Sequence, residues 1–91
     1  MVHYTELTLK VKLFYNASMI DKRIAQQISD SIVLKLRETR LKKGISQYRI
    51  AKDTGMSKSS ILYIENRTQH PTLYTVILLA HYLGVDLKEL F

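Results

Sequence analysis

The sequence predicts a mainly α-helical chain, a run of short helices behind a single β-strand, on three observations. Its 91 residues include only three Gly and one Pro, with 46% hydrophobic and 24% charged side chains, which describes an ordinary folded chain leaning towards helix. From residue 30 onwards apolar residues recur at three- and four-residue spacing between Ser, Gly and Pro punctuation. Before residue 16 they alternate instead with polar ones, the period of a strand with one buried face.

That strand is expected over residues 4–15, where Leu7, Leu9, Val11 and Leu13 alternate with Thr8, Lys10 and Lys12. A lone strand leaves its backbone groups unpaired, so its economical partner is the same strand in a second copy across a two-fold axis. Asn16, Ala17 and Ser18 break the alternation, and Ser18 with Asp21 can cap a helix carrying Ile20, Ile24 and Ile28. This helix either stops near Ser29 or runs on. The expected organisation is a strand-and-helix extension over residues 1–29, serving dimerisation, and a helical domain over residues 30–91.

Within that domain a first helix is expected over residues 31–43, with Val33, Leu36 and Arg40 on one side and Gly44 as a left-handed stop behind Lys42 and Lys43. Ser46 caps a second helix with Ile50 and Ala51 inward, ended by Gly55. Ser57 caps a third with Ile61 and Ile64 inward. Pro71 sets off a fourth, in which Leu73, Val76, Ile77, Ala80 and Leu83 keep amphipathic spacing up to Gly84. Asp86 with Glu89 caps a last turn over residues 87–91. Helices this short are marginal alone, so tertiary packing must hold them.

Composition removes many functions. Without cysteine there is no disulfide framework, thiolate metal site, iron–sulfur ligation or cysteine nucleophile. His3, His70 and His81 are far apart and none has a second histidine one helical turn away, so no metal site or cofactor is expected. Neither a Gly-rich phosphate cradle nor a spaced Ser, His and acid set is present, and no catalytic residue is assigned. No apolar run approaches the ~20 residues of a membrane helix and no leader pattern opens the chain, so a cytoplasmic location is expected. Asn16 and Asn66 match glycosylation acceptors only by chance in that setting. The net charge of +6 suits a nucleic-acid partner, and it is placed unevenly. Residues 31–91 carry ten basic and five acidic side chains against four and three before them, so five of the six net charges lie there.

The informative stretch runs from Gln47 to Asn66. Two helices crossing at a tight turn need a small residue where backbones approach, a glycine able to take positive φ, and apolar side chains at the seam. Ala51, Gly55 and the trio Ile50, Ile61 and Ile64 supply them. Around this core stand R-x-x-K-G ahead of Ser46-Gln47, I-E-N closing the third helix, P-T-L opening the fourth, and L-G-V-D-L near the end. Together and in order, over residues 31–91, these features resemble the helix-turn-helix domain of the phage Cro and repressor family, the xenobiotic-response-element regulators.

The resemblance implies a five-helix domain whose third helix enters the DNA major groove by its N-terminal end. It places Ser57, Lys58, Ser59, Ser60 and Tyr63 at the base edges and Gln47 against a phosphate. It also makes Arg40 and Glu65 a partly buried structural pair. The chemistry agrees: helix N-termini offer free N–H groups to phosphate, Lys58 is a pure donor suited to guanine O6 and N7, and short hydroxyls discriminate weakly. Tyr63 can touch a thymine methyl or a phosphate. Lys43, Arg49 and Arg67, with Lys42 and Lys52, are candidates for phosphate contacts or plain solubility. Asn66 can donate to a phosphate or close the helix. Two departures from the family pattern stand out: Arg67 where a glycine usually follows the Asn, and Leu62 on a face often left polar.

The expected function is that of a sequence-specific, double-stranded-DNA-binding regulator, a homodimeric repressor of a palindromic operator, and not an enzyme. Two rival readings use the same module: an antitoxin-type autorepressor whose extension binds a protein partner, and a bridging co-activator that contacts the transcription machinery.

Overall fold

The computed structural model describes residues 21–91. Among the described residues there are five helices: α1 (Lys22–Lys42), α2 (Gln47–Thr54), α3 (Lys58–Glu65), α4 (Leu73–Leu83) and α5 (Leu87–Leu90). The strand expected over residues 4–15, and Ser18 and Ile20 of the first helical segment, lie outside the described residues, among which there is no strand.

Helix α1 begins where Asp21 stays extended and its Oδ1 accepts the Arg23 N–H at 2.8 Å. It does not stop at Ser29. The helix start expected at Ser31 is corrected to Lys22, and the division drawn between residues 29 and 30 falls inside one continuous helix. The short polar side chains of residues 29–31 can compete for backbone groups, which favours a helix boundary there. Here Asp30 instead accepts from Gln26 Nε2 one turn back at 2.7 Å, and Ile28 and Ile32 carry the apolar side across the stretch. The far end closes at Gly44, with φ of 67°, as the Gly44 N–H donates to Leu41 O at 3.0 Å and the Ile45 N–H to Arg40 O at 3.1 Å.

The helices enclose one apolar cluster. Leu36 from α1, Ile50 from α2, Ile61 from α3, Leu79 and Leu83 from α4 and Leu90 from α5 all meet in it. On α4 the buried side is narrower than the apolar stripe. Val76, Leu79, Ala80 and Leu83 are buried, whereas Leu73 and Ile77, both expected inward, are 70% and 42% exposed. Thr72, directly after Pro71, caps this helix, its Oγ1 accepting the Thr75 N–H at 3.1 Å. Asp86 caps α5 by accepting from the Lys88 N–H at 3.1 Å, and α5 ends at Leu90 and not at Phe91. The short α3 is thereby held from behind, with its outer side and N-terminal end left open.

Candidate nucleic-acid interface

Helices α2 and α3 are joined by a turn that only a glycine takes cheaply. Gly55 has φ of 76°, while a Cβ built on it would meet nothing within 4 Å. Its backbone conformation, and not lack of space, demands glycine there. On either side the N-caps are serines: Ser46 Oγ accepts the Arg49 N–H at 3.0 Å, and Ser57 Oγ accepts the Ser60 N–H at 3.0 Å.

The N-terminal end of α3 is open to solvent, with Ser57, Lys58 and Ser59 exposed and Ser60 half-buried. Ser57 also donates its hydroxyl to Ser60 Oγ at 2.8 Å, so these two hydroxyls are tied to each other and to the cap. Lys58 and Ser59 project from the first turn. One turn further, Leu62 is 39% and Tyr63 50% exposed, giving the pairs Lys58/Leu62 and Ser59/Tyr63 along the outer side of the helix. Neither α2 nor α3 has a carboxylate in its first turn. An approaching phosphate therefore meets free N–H groups and a positive dipole end with no local repulsion.

The one carboxylate of α3 is turned inward. Glu65 receives Arg40 in a two-pronged pair, Nε to Oε2 at 2.7 Å and Nη2 to Oε1 at 2.8 Å. Arg40 Nη1 donates further to Ile45 O at 2.6 Å, and Gln47 Nε2 donates to Glu65 Oε1 at 3.0 Å. With Arg37 Nε standing 3.9 Å from Oε1, this knot joins α1, the α1–α2 corner, α2 and the end of α3. Gln47, expected beside a phosphate, thus spends one amide N–H on Glu65 and keeps the other.

The remaining basic candidates sit on different elements. The Lys43 ammonium lies against Gly84, 3.4 Å from where a Cβ would stand at the α4–α5 corner. Arg49 Nε donates to Asp53 Oδ2 at 3.1 Å on the same helix, and the Tyr82 hydroxyl of α4 donates to that oxygen as well. The spacing of Arg49 and Asp53 was visible in the sequence, but Tyr82 arrives from 29 residues away and carried no local signal. Asn66 caps the end of α3, its N–H donating to Leu62 O at 2.9 Å. Arg67 then adopts φ of 62°, the conformation a glycine would take, while the Arg67 N–H bonds Ile64 O at 3.0 Å and the Thr68 N–H bonds Tyr63 O at 3.0 Å.

A left-handed non-glycine residue costs ~1–2 kcal/mol, and glycine's extra unfolded freedom returns ~0.5–1 of that, so Arg67→Gly is expected to raise stability by up to about 1.5 kcal/mol. The midpoint of urea unfolding reads it. The hydrogen bonds from Tyr82 first, and then from Arg49, hold the Asp53 carboxyl below the usual carboxylate range. Its contribution to stability is complete above the unfolded aspartate value and is lost as pH falls through the lowered folded one. Tyr82, raised chiefly by its bond to Asp53, behaves oppositely: its contribution holds below the ordinary tyrosine value and is lost as pH climbs through the raised one. Urea unfolding should therefore show Asp53→Asn weaker than the native chain at neutral pH, with the gap closing in acid.

Among the described residues no three His, Asp or Glu side chains gather as a metal site, and no helix is long and apolar enough to cross a membrane. The sequence profile of the helix-turn-helix family matches residues 36–90. Over 56 residues the chain is 38% identical to the cryptic phage CTXphi transcriptional repressor RstR of Vibrio cholerae, covering 62% of this chain and 50% of that protein. The chain thus spans about half the length of the curated relative it matches. No solved structure matches it. With most of the domain inside the profile and the α2–turn–α3 geometry in place, the chain belongs to the helix-turn-helix family, in its phage Cro and repressor type.

Proposed function

We propose that this protein is a sequence-specific DNA-binding transcriptional repressor that acts as a homodimer on a two-fold symmetric operator, with α3 in the major groove. The observation that carries this reading is the open, carboxylate-free N-terminal end of α3, braced at its other end by the Arg40–Glu65 pair. Lys58 reads a guanine edge, Ser59 and Tyr63 flank it, and Leu62 meets a thymine methyl. Ser57 and Ser60, tied into the cap, contribute mainly the backbone N–H end they support. Gln47 offers its remaining N–H to a phosphate, and Arg67 and Asn66 do the same beyond α3. Arg49 spends its Nε on Asp53 and offers its remaining guanidinium donors to a phosphate, and Lys43 adds its ammonium. The relative's name as a transcriptional repressor supports repression over the rival readings.

One short helix in one groove reads only a few base pairs, so a second copy ~34 Å along the duplex supplies the rest of the specificity. Pairing of residues 4–15 between two copies is the device for that spacing. A full-length chain that sediments as a monomer at micromolar concentration would remove this element. For the function itself, duplexes are selected from a random pool on the full-length protein. A two-fold symmetric consensus is the expected result, and no enrichment over input would overturn the reading. Roles separate by substitution: Lys58→Ala should relax preference at one position of each half-site at a cost of ~1–3 kcal/mol, while Gln47→Ala should weaken all sequences about equally.

A further inference from the structure

The first three turns of α1 overhang the core: no residue before Ile32 is buried on this helix. The overhang and the start of α4 form an open apolar groove of about 360 Å³, lined by Ala25, Ile28, Ile32, Leu73, Val76 and closed by Phe91. Leu73 is 70% and Phe91 48% exposed, and the apolar surface continues along α4 over Tyr74 at 73% and Ile77 at 42%. Contiguous apolar surface of this kind marks a place where something binds. Its neighbour in the chain is known, because residues 1–20 join α1 at Asp21, one turn before Ala25.

We propose that the apolar face of residues 7–13 of the same chain covers this groove. The sequence alternates Leu7, Leu9, Val11 and Leu13 with Thr8, Lys10 and Lys12, so bound in extended form the segment would present the first set on one face and the second on the other. Leu13 precedes Asp21 by eight residues, which can span up to ~26 Å at 3.3 Å each. From Ala25 to Ile32 the groove runs only ~10 Å along the helix at 1.5 Å per residue, so a chain reversing after residue 15 lays its leucines over it. Tethering favours this occupant over a second molecule, since a short linker holds it at an effective concentration in the millimolar range. The polar face then remains outward, and the placement does not depend on DNA binding.

The test uses the full-length protein, whose lack of cysteine leaves introduced thiols as the only ones. Leu9→Cys with Leu73→Cys, treated at high dilution with a short bis-maleimide, should link within one chain. Thr8→Cys with Leu73→Cys should link several-fold less. No link, equal linking from Thr8, or links only between chains overturns the proposal. A dye that fluoresces on exposed apolar surface gives a second readout. Leu9→Asp with Leu13→Asp should raise its signal several-fold, and Thr8→Asp with Lys12→Asp should leave it unchanged; both rising alike, or neither, counts against the groove. Sedimentation of the same variants and the random-duplex selection report separately on dimerisation and DNA reading, so failure here is not confused with failure there.

Discussion

Glu65→Ala is expected to destabilise the domain by about 3–5 kcal/mol, the cost of leaving a charge uncompensated at a nearly dry site. The Arg40 side chain is 7% exposed and that of Glu65 10%, so water cannot replace a lost partner cheaply. The two single losses should not be equal. Removing Glu65 leaves Arg40 facing the partly exposed Arg37 across an emptied site, with only Ile45 O still accepting from it. Removing Arg40 leaves Glu65 with the Gln47 amide and with Arg37, 3.9 Å away and 45% exposed, which can swing in. Arg40→Ala should therefore cost less than Glu65→Ala. The double change Arg40→Met with Glu65→Leu should cost less than either, because apolar residues of similar volume avoid the desolvation problem. Urea unfolding at constant m-value reads all three. A Glu65→Ala loss under about 1 kcal/mol would mean that the pair is effectively solvated, as exposed pairs are.

The domain's punctuation was legible in the sequence because caps act through one or two residues. Ser46, Ser57 and Asp86 are N-caps in the structure, and Gly44, Gly55 and Gly84 all have positive φ. What depends on distant packing was not legible. Nothing near Ser29, Asp30 and Ser31 announces that α1 runs through them, since the choice rests on which side of the helix faces the core. Leu73 and Ile77 keep amphipathic spacing yet stand exposed, because spacing reports a stripe and not how wide a neighbour covers it. At the candidate site the pairing of Arg40 with Glu65, 25 residues apart, came from family resemblance and not from any local pattern. That Gln47 joins the same knot was missed for the same reason. The strain at Arg67 was half visible: the sequence marked an unusual residue, and only backbone geometry could assign its sign of φ.

Adjacent residues of α3 should separate folding from recognition. Ile61 is 1% exposed in the centre of the core, while its neighbour Leu62 is 39% exposed on the outer side. Ile61→Ala removes buried methyl groups and leaves a cavity that an eight-residue helix packed against α1 and α2 cannot close, so a loss of about 2–5 kcal/mol is expected. Typical domains hold only ~5–15 kcal/mol in total, which makes this change large enough to unfold a measurable fraction of the chain. Any accompanying drop in DNA affinity should then match the lost folded fraction and leave the preferred duplex unchanged. Leu62→Ala should do the reverse. Its side chain is already partly in water, so stability should change by under ~1 kcal/mol. Binding should weaken selectively for duplexes carrying a thymine at the position it touches, because a methyl contact distinguishes thymine from the other bases. Urea unfolding and duplex selection on both variants separate the two cases. Equal loss of stability from the two changes would contradict the burial of Ile61, and an unaltered duplex preference in Leu62→Ala would remove that side chain from the reading face of α3.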